Sequence, residues 1–102
     1  MAVQVKDMRA LAGLIIKIKN DGEGKIFHVR FVKKDGSVRE MKARFGVKKD
    51  VNGNGMSFDP LAKQIIPVWD MVKSGWRMIN LYAIMNIKFK GVEYEIANKR
   101  NN

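Results

Sequence analysis

From Lys25 to Phe45 the chain reads KIFHVRFVKKDGSVREMKARF, with apolar and polar positions alternating on both sides of a Lys34-Asp35-Gly36 break. Period-two alternation around a glycine-containing break predicts a β-hairpin with one buried face. A two-residue Asp35-Gly36 loop would set Phe31 against Glu40, Val29 against Lys42 and Phe27 against Arg44, mixing core with charge. A three-residue loop, Lys34-Asp35-Gly36, with Gly36 in the left-handed conformation of a G1 bulge, instead sets Val29 against Met41 and Phe27 against Ala43, joined by Phe31 and Phe45. The opposite face then carries His28, Arg30, Glu40, Lys42 and Arg44, with Arg30 and Glu40 directly opposed as a charge pair. A basic stripe on one side of the hairpin is the consequence.

The flanking segments carry weaker patterns. Residues Asp7 to Lys19 place Met8, Leu11, Leu14, Ile15 and Ile18 at helical spacing, with Asp7 as N-cap and Asn20-Asp21-Gly22 as a stop. Lys6, Arg9 and Lys17 fall off that stripe, and the helix is read as a cover for one open end of a barrel rather than as a membrane-surface helix. Asp21 to Lys25 is a turn. After Phe45, GVKKDVNGNGMSFDP predicts a surface loop over about 46–60. Gln64 to Val72, QIIPVWDMV, reads as a strand confined to an edge or bulge by Pro67, which has no N–H to donate. Lys73-Ser74-Gly75 turns the chain. Trp76 to Tyr82 then alternates Arg77, Ile79 and Leu81 with Trp76, Met78, Asn80 and Tyr82; one face looks into the barrel, and the other is covered by the helix, by a partner or by nothing. Met85 to Ile96 forms a second hairpin around a two-residue Lys90-Gly91 loop, pairing Phe89 with Val92, Ile87 with Tyr94, Met85 with Ile96 and Lys88 with Glu93. Residues 98–102 are a polar, frayed tail. Together these predict a mostly β protein: one small barrel over about 25–97 behind a short N-terminal α-helix over about 7–19, in a single domain.

Charge adds a direction. Twenty Lys and Arg against ten Asp and Glu give a net charge of +10, which favours polyanionic partners because neutralised phosphates release counterions. The excess is local: eight basic residues lie between Arg30 and Lys49 against two acidic ones, Asp35 and Glu40. The candidate nucleic-acid contacts are Arg30, Lys33, Lys34, Arg39, Lys42, Arg44, Lys48 and Lys49, with Trp76, Arg77 and Tyr82 as candidate base contacts. The plainer alternatives are that the basic run is a solvated face and that the large aromatics are core, which fits Trp69 better than Trp76. No secretory signal is legible, and the longest mostly apolar run, Leu11 to Ile16, is far short of a membrane span, so a soluble cytoplasmic protein without a membrane partner is expected.

Catalytic and metal chemistry find little to stand on. The chain has no cysteine or threonine, a single histidine, His28, and three serines, Ser37, Ser57 and Ser74, so no triad or thiolate site assembles. Asp50, Asn52, Asn54 and Gly55 match the opening of an EF-hand loop, but Leu61 stands where its bidentate glutamate belongs, Pro60 intrudes and no helix is expected directly after it. A non-enzyme without metal or cofactor is expected.

The segments KKDGSVREMKARFGVKK and VWDMVKSGWRMINLYAIMNIKFKGVEYEI resemble the small phage-encoded relatives of the WYL domain, which have an Sm-like, SH3-like β-barrel fold. The elements carrying the likeness are the K-D-G hairpin followed by Arg39, Met41 and Arg44-Phe45-Gly46-Val47, the V-x-D of Val68 to Asp70, the strand Gly75-x-Arg77-x-Ile79-Asn80-Leu81 with Ile84 after it, and the G-x-x-Y of Gly91 to Tyr94. Where related strands often carry an acidic residue after the leucine, this chain has Tyr82. The resemblance implies a compact barrel behind a short helix, a bacteriophage origin and action in the host cytoplasm. Larger WYL proteins resemble ligand-sensing regulators that engage nucleic acids or nucleotides through basic and aromatic residues. Their winged-helix domain has no counterpart in these 102 residues, so transcription-factor behaviour is not expected. The leading expectation is a nucleic-acid-binding accessory protein acting on DNA or RNA. The alternatives are docking on a host or phage protein through the Pro67 strand and the outer face of Trp76 to Tyr82, and homo-oligomerisation through strand edges.

Overall fold

Asp35 and Gly36 decide how the first hairpin reverses. The Asp35 carboxylate accepts the backbone N–H of Ser37 at 2.9 Å and its hydroxyl at 2.6 Å, and Gly36, at a φ of +91°, donates its N–H to the Lys33 carbonyl. Lys33 and Ser37 close the loop by a 2.7 Å bond, so 34–36 form the three-residue loop expected. The computed structural model describes residues 2–21, 25–45 and 60–97. Its elements are β1 (Val3–Val5), α1 (Met8–Asp21), β2 (Phe27–Val32), β3 (Val38–Arg44), α2 (Pro60–Lys63), β4 (Ile65–Asp70), β5 (Gly75–Asn80), a 3-10 turn (Leu81–Ala83), β6 (Ile84–Phe89) and β7 (Val92–Ile96). The β2–β3 register pairs Phe27 with Ala43, Val29 with Met41 and Arg30 with Glu40, as the exclusion of the mixed register predicts.

The second hairpin holds over most of its length. Lys90 and Gly91 both take positive φ, +53° and +79°, as a type I′ turn demands, and Phe89–Val92, Lys88–Glu93 and Ile87–Tyr94 pair. The expected Met85–Ile96 pair does not appear. Where β6 meets β2, Arg30 faces Asn86 but Phe31 faces Ile84, so Met85 is the extra residue of a β-bulge. The bulge turns Ile84 into the core and leaves Met85 38% exposed.

The sheet runs in the order β1-β7-β6-β2-β3-β4-β5. In a flat sheet β6 and β5 would lie about 19 Å apart, four spacings of ~4.8 Å. Yet only Leu81–Ala83 connect them, and a 3-10 turn of that length spans about 8 Å from flank to flank. The sheet must therefore roll into a barrel. The Leu81 N–H bonds the Gln64 carbonyl at 2.9 Å, tying the turn to the start of β4. Pro67 sits in an interior strand, but β3 pairs with β4 only at Ala43–Asp70 and Arg44–Trp69, so among the described residues Pro67 is flanked by β5 alone and its missing donor leaves no ladder bond broken.

Asp7 caps α1 through a 2.8 Å bond from the Ala10 N–H. Leu11, Ile15 and Ile18 bury completely into the barrel core, Met8 and Leu14 partly, while Lys6, Arg9 and Lys17 face solvent. The helix packs on α2 and on the 3-10 turn, covering that end of the barrel. Phe27 and Phe45 stack at 4.9 Å inside. Two elements were not anticipated: β1, which adds in parallel to β7, and α2, a single helical turn where a loop and no helix was expected. Asp50, Asn52, Asn54 and Gly55 lie outside the described residues. None of the described helices is long and apolar enough to cross a membrane.

Candidate nucleic-acid interface

Alternation along β4 points Ile66, Val68 and Asp70 inward, so an aspartate ends up fully buried. A buried carboxylate must be paired or protonated. Here Oδ1 accepts the backbone N–H groups of Val72 and Lys73 at 3.0 Å each, which shapes the β4–β5 turn. Oδ2 takes Nη2 of Arg39 at 2.7 Å and lies 3.5 Å from Nε of Arg77. Burial pushes the carboxyl up, but the Lys73 N–H, the Arg39 guanidinium and the Val72 N–H outweigh it and hold the group at about 2.

This cluster redirects two of the candidate contacts. Arg39 shares the core-facing side of β3 with Met41 and Ala43, and Arg77 shares that of β5 with Ile79. A cation on such a face needs an anion within reach. Arg39 is consequently committed to Asp70, with its side chain 23% exposed, while Arg77 shares the carboxylate and remains 43% exposed. Three elements of the family resemblance, Arg39, Asp70 and Arg77, thus meet in one ion cluster at the β4–β5 turn.

The outward positions form two rows across the sheet. Lys88, His28 and Lys42 are register neighbours on β6, β2 and β3. Arg30 lies two residues further along β2, between Asn86 and Glu40, and does not close an ion pair with Glu40 among the described residues. Exposed pairs gain little from closing. A shallow polar hollow of about 200 Å³ is lined by His28, Arg30, Glu40, Asn86, Lys88 and Glu93. The second row is Arg44, Trp69 and Trp76 on β3, β4 and β5. The Arg44 guanidinium stands 6.0 Å from the Trp69 ring centre, and the two indoles meet edge-on at 5.3 Å and 83°. Trp69, read from the sequence as core, is instead half-buried on the outer face, because Ile66, Val68 and Asp70 take the inward positions of β4.

Lys33 and Lys34 are exposed at the hairpin tip. Lys48 and Lys49 lie outside the described residues. Tyr82 does not share a strand with Trp76: β5 ends at Asn80, whose side chain caps the 3-10 turn by accepting the Tyr82 N–H, so Tyr82 belongs to the turn. Sequence reasoning missed Lys88 and Trp69 as members of the face. Lys88 was placed correctly opposite Glu93, but its contact with His28 spans sixty residues of sequence and has no local signal.

Five strands in the order β6-β2-β3-β4-β5, closed by a 3-10 turn and covered at one end by an N-terminal helix, define a small SH3-like barrel. The chain belongs to the WYL_2 family, an Sm-like SH3 β-barrel fold, whose model matches residues 15–85. That match runs from the middle of α1 into β6 and leaves β1 and β7 outside it. No curated protein and no solved structure gives a significant match.

Proposed function

We propose that this protein binds nucleic acid without catalysis, through phosphate contacts from the outer face of β2, β3 and β6. The observation that supports it is the row Lys88–His28–Lys42, flanked by Arg30 and Arg44, in which basic side chains stand directly opposite one another on three neighbouring strands. Lys88 and Lys42 flank His28 and, with Arg30 and Arg44, outnumber Glu40 and Glu93 on this face, and a polyanion laid across the strands releases its counterions. Because these contacts address phosphate, DNA and RNA are both accepted. We extend this to a small phage accessory protein acting in the host cytoplasm, on the strength of the resemblance alone.

Fluorescence anisotropy with labelled single-stranded DNA, single-stranded RNA and duplex DNA, at low and near-physiological salt, tests it. Micromolar or tighter binding at the higher salt is expected, lost when Lys42→Glu and Arg44→Glu are combined. Weak binding to all three that vanishes with salt would sink the proposal. A second reading, docking on a host or phage protein, draws on β5 rather than on the Pro67 strand. Among the described residues β5 is flanked only by β4, and Trp76 and Met78 are 50% and 69% exposed on it. Capture of a specific protein that survives nuclease treatment and is lost in Met78→Arg would favour that reading.

A further inference from the structure

We infer that the Arg44–Trp69–Trp76 row is a stacking site for an unpaired base, and hence that the ligand is single-stranded. This rests on the proposed nucleic-acid function and specifies its substrate. The row spans two interstrand spacings, about 10 Å, and combines the two chemistries a nucleotide presents. Arg44 supplies a cation at the edge adjoining Lys42 and the basic row, and Trp76 supplies an aromatic surface at the other edge. The perpendicular packing of the indoles uses at most one face of Trp76, so the other is free of Trp69. Half of Trp76 is exposed, next to an exposed Met78. Trp69 packs edge-on beside it and carries Arg44 on its far side.

A base can lie on that face only when it is unpaired. Within a duplex both faces of each base are occupied by its stacked neighbours, and the barrel offers this surface on a sheet face rather than on an element that enters a groove. Base-paired nucleic acid can reach the basic row but not the aromatic one. The two rows therefore divide the labour: Lys88, His28, Lys42 and Arg30 take phosphate from any nucleic acid, and Trp76 selects the single strand.

The molecule carries its own probe, because its two tryptophans are Trp69 and Trp76. Titration of the full chain with unlabelled oligothymidylate, oligouridylate and a short DNA duplex at near-physiological salt, followed by intrinsic fluorescence and by competition against a labelled strand, tests the inference. Both single strands are expected to change the tryptophan emission, and the duplex to bind more weakly and leave emission nearly unaltered. Trp76→Ala is expected to weaken single-strand binding about tenfold or more while leaving the duplex affinity within about twofold, and Trp76→Phe to restore part of the loss. Wild-type affinity of Trp76→Ala for single strands, or equal binding and emission change with duplex, would overturn the stacking site while leaving phosphate binding intact. If no nucleic acid binds the wild type at this salt, the stacking site falls together with the function on which it rests.

Discussion

Asp70 occupies a position that a valine or isoleucine would fill in an all-apolar strand, and it does three tasks there. It accepts two turn N–H groups, holds Arg39 and neutralises Arg77. Replacing it by alanine leaves both arginines without their anion and unties the turn; a loss of about 3 kcal/mol is expected in urea denaturation, near the lower end for breaking a buried pair because Arg39 keeps some solvent. Its titration carries a sign that can be checked. The folded carboxyl titrates at about 2 against an ordinary 3.8, so ionised Asp70 stabilises the fold by about 2 kcal/mol. For a depressed acid that contribution is complete above the unfolded value and disappears as pH falls from about 4 to about 2. Asp70→Asn keeps an acceptor for the turn but has no such dependence. The stability gap between it and wild type is therefore expected to narrow across that window, and a constant gap would show that the charge of Asp70 contributes nothing.

At the scale of the element, turns and caps set the registers, and each has a local test. Gly36 has open space where a Cβ would go, so Gly36→Ala meets no clash. Its positive φ alone makes the substitution cost about 1 kcal/mol, seen as a lower urea midpoint. Lys90 is the mirror case, an ordinary side chain held at a φ of +53° in the first position of a type I′ turn. Asparagine tolerates that conformation, so Lys90→Asn is expected to raise stability by about 0.5 kcal/mol. Asp7→Ala, which strips the N-cap of α1, is expected to cost about 1 kcal/mol. The first hairpin was legible because its wrong register puts charge opposite core, a conflict visible within about twenty residues, and the second because Lys90-Gly91 makes a two-residue turn between alternating strands. The bulge at Met85 was not, since it arises only where β6 meets β2 and belongs to neither hairpin alone.

For the whole molecule, a net charge of +10 favours polyanions in general, and among the described residues the sheet order brings Lys88, Lys42, Arg30 and Arg44 to one face. Lys42→Ala is expected to reduce the slope of log affinity against log salt by about 0.7 on single strands, one phosphate contact. Lys63→Ala, on α2 beside the helix that covers the barrel end, is expected to leave the slope unchanged. An unchanged slope in the first variant would move the phosphate track off β3. Arg39 and Arg77 show why charge on a sequence is an incomplete guide: the alternation that makes Lys42 an outward residue makes Arg39 an inward one, and the inward one is matched by Asp70.

The sequence by itself determined the capped helix, the register of the first hairpin, that of the second as far as Ile87–Tyr94, and the one-sided basic stripe, because these depend on side-chain periodicity and on turn residues a few positions apart. Tertiary structure alone decided that Lys88 stands beside His28, that Arg44, Trp69 and Trp76 form one row, that Asp70 gathers two arginines, and that β1 joins β7. Those contacts depend on the order of strands in the sheet and, within the five-strand barrel, on its closure. Closure depends on how the apolar faces of all the strands and of α1 are buried together, and no single stretch of the chain records it.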